Sequence, residues 1–173
     1  VGKVHKGVEK WLVDGVEMEQ ATREGRLALA LGDYLPDRQA VLDGDVLVEH
    51  EFTYQPEGLP APFYGLIDLL NPDGADDHKT TSDFKYCKES YQLAADPQAV
   101  VYGSYALSVG RHDEHGNVLF RHNYVRTKGA VQPHRSSVVL SPTTLQKNLT
   151  QVVQDCQTIA EQSLLPFTEV PYN

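Results

Sequence analysis

Two short stretches of this chain have the residue types and spacing of a hydrolytic metal centre. Asp68 ends Gly65-Leu66-Ile67-Asp68, and Asp83 and Lys85 stand two apart in Ser82-Asp83-Phe84-Lys85. Both stretches lie among apolar and β-branched residues and read as strands. Side chains alternate faces along a strand, so Asp83 and Lys85 point one way and Phe84 the other. Pairing of the two strands would let Asp68 join them. Two carboxylates about 4 Å apart repel by about 4 kcal/mol at an effective dielectric of about 20, and a divalent cation removes that penalty. Oxygen donors favour a hard ion such as Mg²⁺. This is the arrangement of a metal-dependent phosphodiesterase. A lone acid in a strand is often a structural acceptor, and Asp-x-Lys is common by chance. Three such residues flanked by Leu66, Ile67, Leu69 and Leu70 favour the functional reading, because charges are rarely buried unless paired or metal-bound.

The elements that must position these groups follow from periodicity. Residues 2–13 read as an amphipathic helix carrying Val4, His5, Val8, Trp11 and Leu12 at helical spacing. A second helix is expected over 20–31, stopped by Gly32. Strands are expected over 46–54 and 63–70. Asn71-Pro72-Asp73-Gly74 is a turn signal, so 80–86 would complete an antiparallel meander. A helix over 98–108, strands over 118–127 and 135–140, and a long helix from Ser141-Pro142 to about 164 finish the chain. This order predicts an α/β fold, a central mixed β-sheet flanked by helices.

With 173 residues and 19.3 kDa, the chain is expected to form one domain over 1–173. It opens on a helical pattern without Met, which suggests a piece excised from something longer. No apolar run has the length of a membrane span and nothing at the start reads as a signal peptide. Cys87 and Cys156 lack CxxC spacing, which fits a reducing, cytoplasmic setting. A net charge of -9 argues against a nucleic-acid partner, but the charge is uneven. Residues 1–77 hold 6 basic and 16 acidic side chains, whereas 78–173 hold 9 and 8. Arg111, Arg121, Arg126, Lys128 and Arg135 form either a local basic strip or a solvated strand face. Asp73, Asp76, Asp77 and His78 could be imagined as a second metal site but read better as a solvated hairpin turn, and His112, His115, His122 and His134 read as surface residues.

Taken together, these motifs resemble the PD-(D/E)XK nuclease superfamily in its RecB-like exonuclease branch, a group similar to the nucleases of CRISPR adaptation. The resemblance spans most of the chain: Gly2-Lys3-Val4-His5, Val48-Glu49-His50-Glu51-Phe52, Gly65-Leu66-Ile67-Asp68, Asp83-Phe84-Lys85, and Gln98-Ala99-Val100-Val101-Tyr102 as the QxxxY helix motif. It implies a restriction-endonuclease-like core. It also implies Mg²⁺ or Mn²⁺ held by His5, Asp68, Asp83 and the Phe84 carbonyl, with Lys85 orienting the attacking water. Glu49, in preference to Glu51, would be the additional acid. Gln98 and Tyr102 would touch DNA or brace the catalytic strand; Tyr91 and Gln92 lack the spacing. The implied activity is a DNase, most simply an exonuclease of replication, recombination or repair, suited to a phage or mobile element acting in the host cytoplasm. DNA is the implied partner. No P-loop is present, so unwinding would fall to a helicase or recombination protein. Cys87 and Cys156 are misplaced for the branch's iron–sulfur cluster, so none is expected, although 165–173 resemble the segment before its Cys-rich tail. The rivals are a non-catalytic nucleic-acid-binding or assembly module with the same fold, and an unrelated hydrolase of small phosphoesters.

Overall fold

The computed structural model describes residues 2–16 and 23–163; the first residues of the expected second helix and the 165–173 segment lie outside them. The elements are α1 (Gly2–Asp14), α2 (Arg23–Ala30), α3 (Arg38–Leu42), β1 (Leu47–Tyr54), β2 (Phe63–Asn71), β3 (Gly74–Thr81), α4 (Ser90–Ala94), α5 (Pro97–Ser108), β4 (Val118–Arg126), β5 (Pro133–Leu140) and α6 (Pro142–Ser163). The five strands form one sheet in the order β1-β2-β3-β4-β5. The first three make an antiparallel meander, β4 is parallel to β3, and β5 is antiparallel to β4. The protein is α/β with a mixed sheet flanked by helices.

A parallel pair needs a crossover, and α4 and α5 supply it between β3 and β4. Asp96 starts α5 by accepting the Gln98 amide at 2.9 Å, with Pro97 at the first helical position. Helix α5 covers one face of the sheet, in a cluster with Phe52, Ile67, Leu70, Ala75, Phe120 and Leu140. Helix α6 packs on α5 through Val100, Leu149 and Val153. On the opposite face α1 and α2 bury Val8, Leu12, Leu27 and Leu31 against Leu69 and Val125.

The third strand corrects the sequence reading. It is not 80–86 but Gly74–Thr81, and it begins directly after Pro72-Asp73, with Asn71 paired to Gly74. Gly74 permits this. Its φ is 151°, and a Cβ there would stand 2.0 Å from the Leu119 carbonyl oxygen, so only glycine lets β4 lie alongside. Asp76, Asp77 and His78 are consequently not in a solvated turn; all three are buried in the middle strand. His122, expected at the surface, is 1% exposed on β4. Asp76 is satisfied from afar by Arg121 at 2.8 Å, Asn123 at 2.9 Å, Asn71 at 2.8 Å and Arg135 at 3.3 Å. Those donors offset the cost of burying the carboxylate.

Candidate metal centre

The centre forms where β2 and β3 part. Their ladder runs from Asn71↔Gly74 to Leu69↔Asp76 and then stops. The next residues, Asp68 and Asp77, therefore face the fork. On the other side of β2, Val48 pairs with Leu69 and His50 with Ile67, which sets Glu49 across from Asp68. Glu49 has φ 48°, the one positive value at a non-glycine among the described residues. Such a conformation is uncommon and costs energy in a strand. It coincides with a local twist: Ile67 packs in the α5 cluster and Leu69 in the α1 cluster, although residues two apart normally share a face.

Helix α1 brings His5 to this fork. His5 Nδ1 lies 3.3 Å from Asp68 Oδ1, and His5 Nε2 lies 3.1 Å from the His78 carbonyl oxygen. The His78 amide donates to Asp68 Oδ2 at 2.5 Å. One ligand atom each from His5, Glu49 and Asp68 falls within 4.8 Å of the others. Glu51, the other strand acid, is exposed. Mutual contacts shift all three groups. The hydrogen bond to Asp68 raises the His5 pKa against the opposing effect of burial. Burial pushes Asp68 up, but the His5 and His78 contacts outweigh it and the net shift is down. Burial, then the Asp68 charge, raises Glu49.

Asp77 and Lys79 stand on β3 just beyond. Gln98 Nε2 donates to Asp77 Oδ1 at 2.6 Å, and Lys79 Nζ is 2.6 Å from Asp77 Oδ2. Burial and the charge of Asp68 raise the Asp77 pKa to about 6, despite Lys79 and Gln98. Burial and the neighbouring Asp68 charge thus leave Asp77 a buried carboxylate short of positive charge, the condition a divalent cation relieves. His78 turns its side chain to the opposite face, where burial lowers its pKa, while its carbonyl faces His5. Behind Asp77 lies His122, whose pKa is driven down to about 4 by burial and by Lys79.

Of the residues expected from sequence, the structure gathers His5, Glu49 and Asp68. Gln98 and Tyr102 brace the fork: Gln98 holds Asp77, and the Tyr102 hydroxyl donates to the Leu66 carbonyl at 2.8 Å. Asp83, Phe84 and Lys85 are not there. They follow β3 on a 3₁₀ turn, Phe84–Tyr86, which Asp83 caps by accepting the Lys85 amide at 3.0 Å. The Lys85 ammonium lies 4.0 Å from Asp83 and 5.0 Å from the centre of the Tyr86 ring, and both charged side chains are more than half exposed. The Phe84 carbonyl is taken by the Cys87 amide at 2.9 Å. Another Asp-x-Lys of the same spacing, Asp77 and Lys79, stands on β3 beside the fork, with the His78 carbonyl facing His5. Tyr91 is 75% exposed on α4, away from these contacts. Cys87 and Cys156 are free. Among the described residues no helix is long and apolar enough to cross a membrane. No protein-family model matches the chain and no curated protein matches it significantly, so the functional reading rests on the chain's own residues and their geometry.

Proposed function

We propose that this chain is a metal-dependent deoxyribonuclease of the PD-(D/E)XK type, with a restriction-endonuclease-like core of the RecB-like branch. One observation carries the reading: His5, Glu49 and Asp68 converge at a strand fork that also presents Asp77 and Lys79, with Gln98 from the crossover helix fixed on Asp77. The donor set fits a hard divalent cation with one nitrogen ligand, Mg²⁺ or Mn²⁺. His5, Asp68, Asp77 and the His78 carbonyl would hold it, with Glu49 as the further acid. The cation supplies Lewis acidity toward a phosphate oxygen and toward the water that attacks. Lys79, partly exposed beside Asp77, orients that water and offsets charge on the phosphate in the transition state. Gln98 keeps the Asp77 carboxylate turned to the fork, and Tyr102 holds β2 at Leu66, two residues before Asp68.

The test is digestion of end-labelled linear DNA and of closed circular DNA with Mn²⁺, beside Asp68→Asn and Asp77→Asn. The expected result is Mn²⁺-dependent loss of the linear substrate by the native chain and none by either variant. Circles left intact support the exonuclease mode. Undiminished cleavage by Asp68→Asn would refute the assignment. Mn²⁺ and DNA binding without cleavage would favour the non-catalytic module.

A further inference from the structure

We propose that His122 is a positioning residue for Asp77, presenting an Nε2–H to the carboxylate oxygen that Lys79 holds and so freeing Lys79 to work on the substrate. This rests on the reading of Asp77 and Lys79 given above. β3 and β4 run parallel with Asp77 directly opposite His122, on the face covered by α5. The imidazole is 1% exposed and caged by the rings of Phe120 and Tyr124, at 5.1 and 5.5 Å between centroids.

Its tautomer follows from the hydrogen bonds around it. The Lys88 amide donates to the Tyr124 hydroxyl at 3.1 Å, so that oxygen already acts as an acceptor. The Tyr124 hydroxyl also lies 3.1 Å from His122 Nδ1. A phenol donates one proton, and we assign it to Nδ1, the ring nitrogen within reach. Nδ1 is then the bare nitrogen of a neutral ring, and Nε2 carries the proton.

Nε2 has no hydrogen-bond partner among the described residues and lies 3.9 Å from Asp77 Oδ2. That oxygen has the Lys79 ammonium at 2.6 Å, and a carboxylate oxygen has a further lone pair to offer a second donor. A buried donor and a buried acceptor thus face each other about 1 Å beyond hydrogen-bond length. Gln98 fixes Oδ1, so the carboxylate keeps Oδ2 turned between Lys79 and His122, and a shift of about 1 Å in the imidazole or the carboxylate closes the His122 contact. A donor behind a ligating carboxylate orients it, and such outer partners typically contribute 10–100-fold to metal affinity.

The experiment uses the full chain. Imidazole ¹⁵N spectra should show His122 with Nε2 protonated and Nδ1 bare, and Tyr124→Phe should loosen that preference. His122→Leu should weaken Mn²⁺ binding about 10-fold or more and lower kcat while KM for DNA holds. His122→Gln, which keeps an N–H near the Nε2 position, should recover most of both. An Nδ1-protonated ring in the native chain would overturn the proposal, as would a folded His122→Leu with native Mn²⁺ affinity and kcat. If His122→Leu does not fold, His122→Gln and Tyr124→Phe decide, and native values in both together with an unchanged tautomer would refute it. A native chain that binds no Mn²⁺ and cuts no DNA would sink the nuclease reading, while the tautomer spectrum would still judge His122.

Discussion

Asp77→Asn should abolish cleavage and yet stabilise the metal-free protein. The Asp77 pKa stands at about 6 in the fold against 3.8 for an ordinary aspartate. Each tenfold in proton affinity is worth about 1.4 kcal/mol, so keeping this carboxylate ionised in the fold costs about 3 kcal/mol. Between pH 3.8 and about 6 the native state binds more protons than the unfolded chain, so stability falls as pH rises through that window. Above it the full cost is present. Asparagine is nearly isosteric, keeps an oxygen for the Gln98 donor, and carries no charge to repel Asp68. The partly exposed Lys79 it releases can turn to water. Thermal melts in chelator at pH 8 should therefore place Asp77→Asn above the native chain by up to about 6–12 °C, the shift that about 3 kcal/mol gives at this size. At pH 4.5, where Asp77 is already protonated in the fold, the gap should largely close. With Mn²⁺ at about 1,000 times its Kd the order should reverse, since the metal then adds about 4.1 kcal/mol to the native chain alone. The control is Asp83→Asn, at an exposed cap, expected within about 0.5 kcal/mol at either pH. A variant melting at or below the native chain at pH 8 in chelator would refute the account of Asp77 as a carboxylate short of positive charge.

Three further outcomes follow from the same geometry. Lys79→Ala should lower Mn²⁺-dependent cleavage about 10²- to 10⁴-fold, while Lys85→Ala, on an exposed 3₁₀ turn, should stay within about threefold of native in the same assay. His5 is raised above 6.5 by Asp68, so their mutual stabilisation is complete below pH 6.5 and fades as pH rises through the raised value; the Mn²⁺ affinity, which needs a neutral ring, should move the opposite way, and titrations at pH 6 and 8.5 check both. Gly74→Ala, with its Cβ driven onto the Leu119 carbonyl, should cost about 3 kcal/mol or more by denaturant unfolding, through strain at β3 and loss of its pairing with β4.

The parts of the site legible in the sequence are those whose signal is local. His5 repeats at helical spacing with Val8 and Leu12, Asp68 is the one acid in an apolar strand, and Gln98 and Tyr102 stand one helical turn apart. Each of these lies in the expected element. Asp77 and Lys79 escaped because their justification is not local. Asp and Lys are depleted in strands, and Asp76-Asp77-His78-Lys79 looks like solvated chain until its distant partners are known: Arg121 and Arg135 for Asp76, Gln98 for Asp77, Asp68 and His5 for the His78 backbone. Register nonetheless held the answer. If Asn71-Pro72-Asp73-Gly74 is a tight turn, Leu70 must oppose Ala75 and Leu69 must oppose Asp76, as they do, and the next step sets Asp68 against Asp77. Asp83 would stand about 20 Å further along an extended chain, out of reach of Asp68. A tight turn at Pro72-Asp73 and a metal pair of Asp68 with Asp83 are therefore mutually exclusive. The turn wins because Gly74 alone admits the close passage of β4, and that passage also brings His122 up behind Asp77. The residue that fixes the hairpin thus selects which Asp-x-Lys the fold can use.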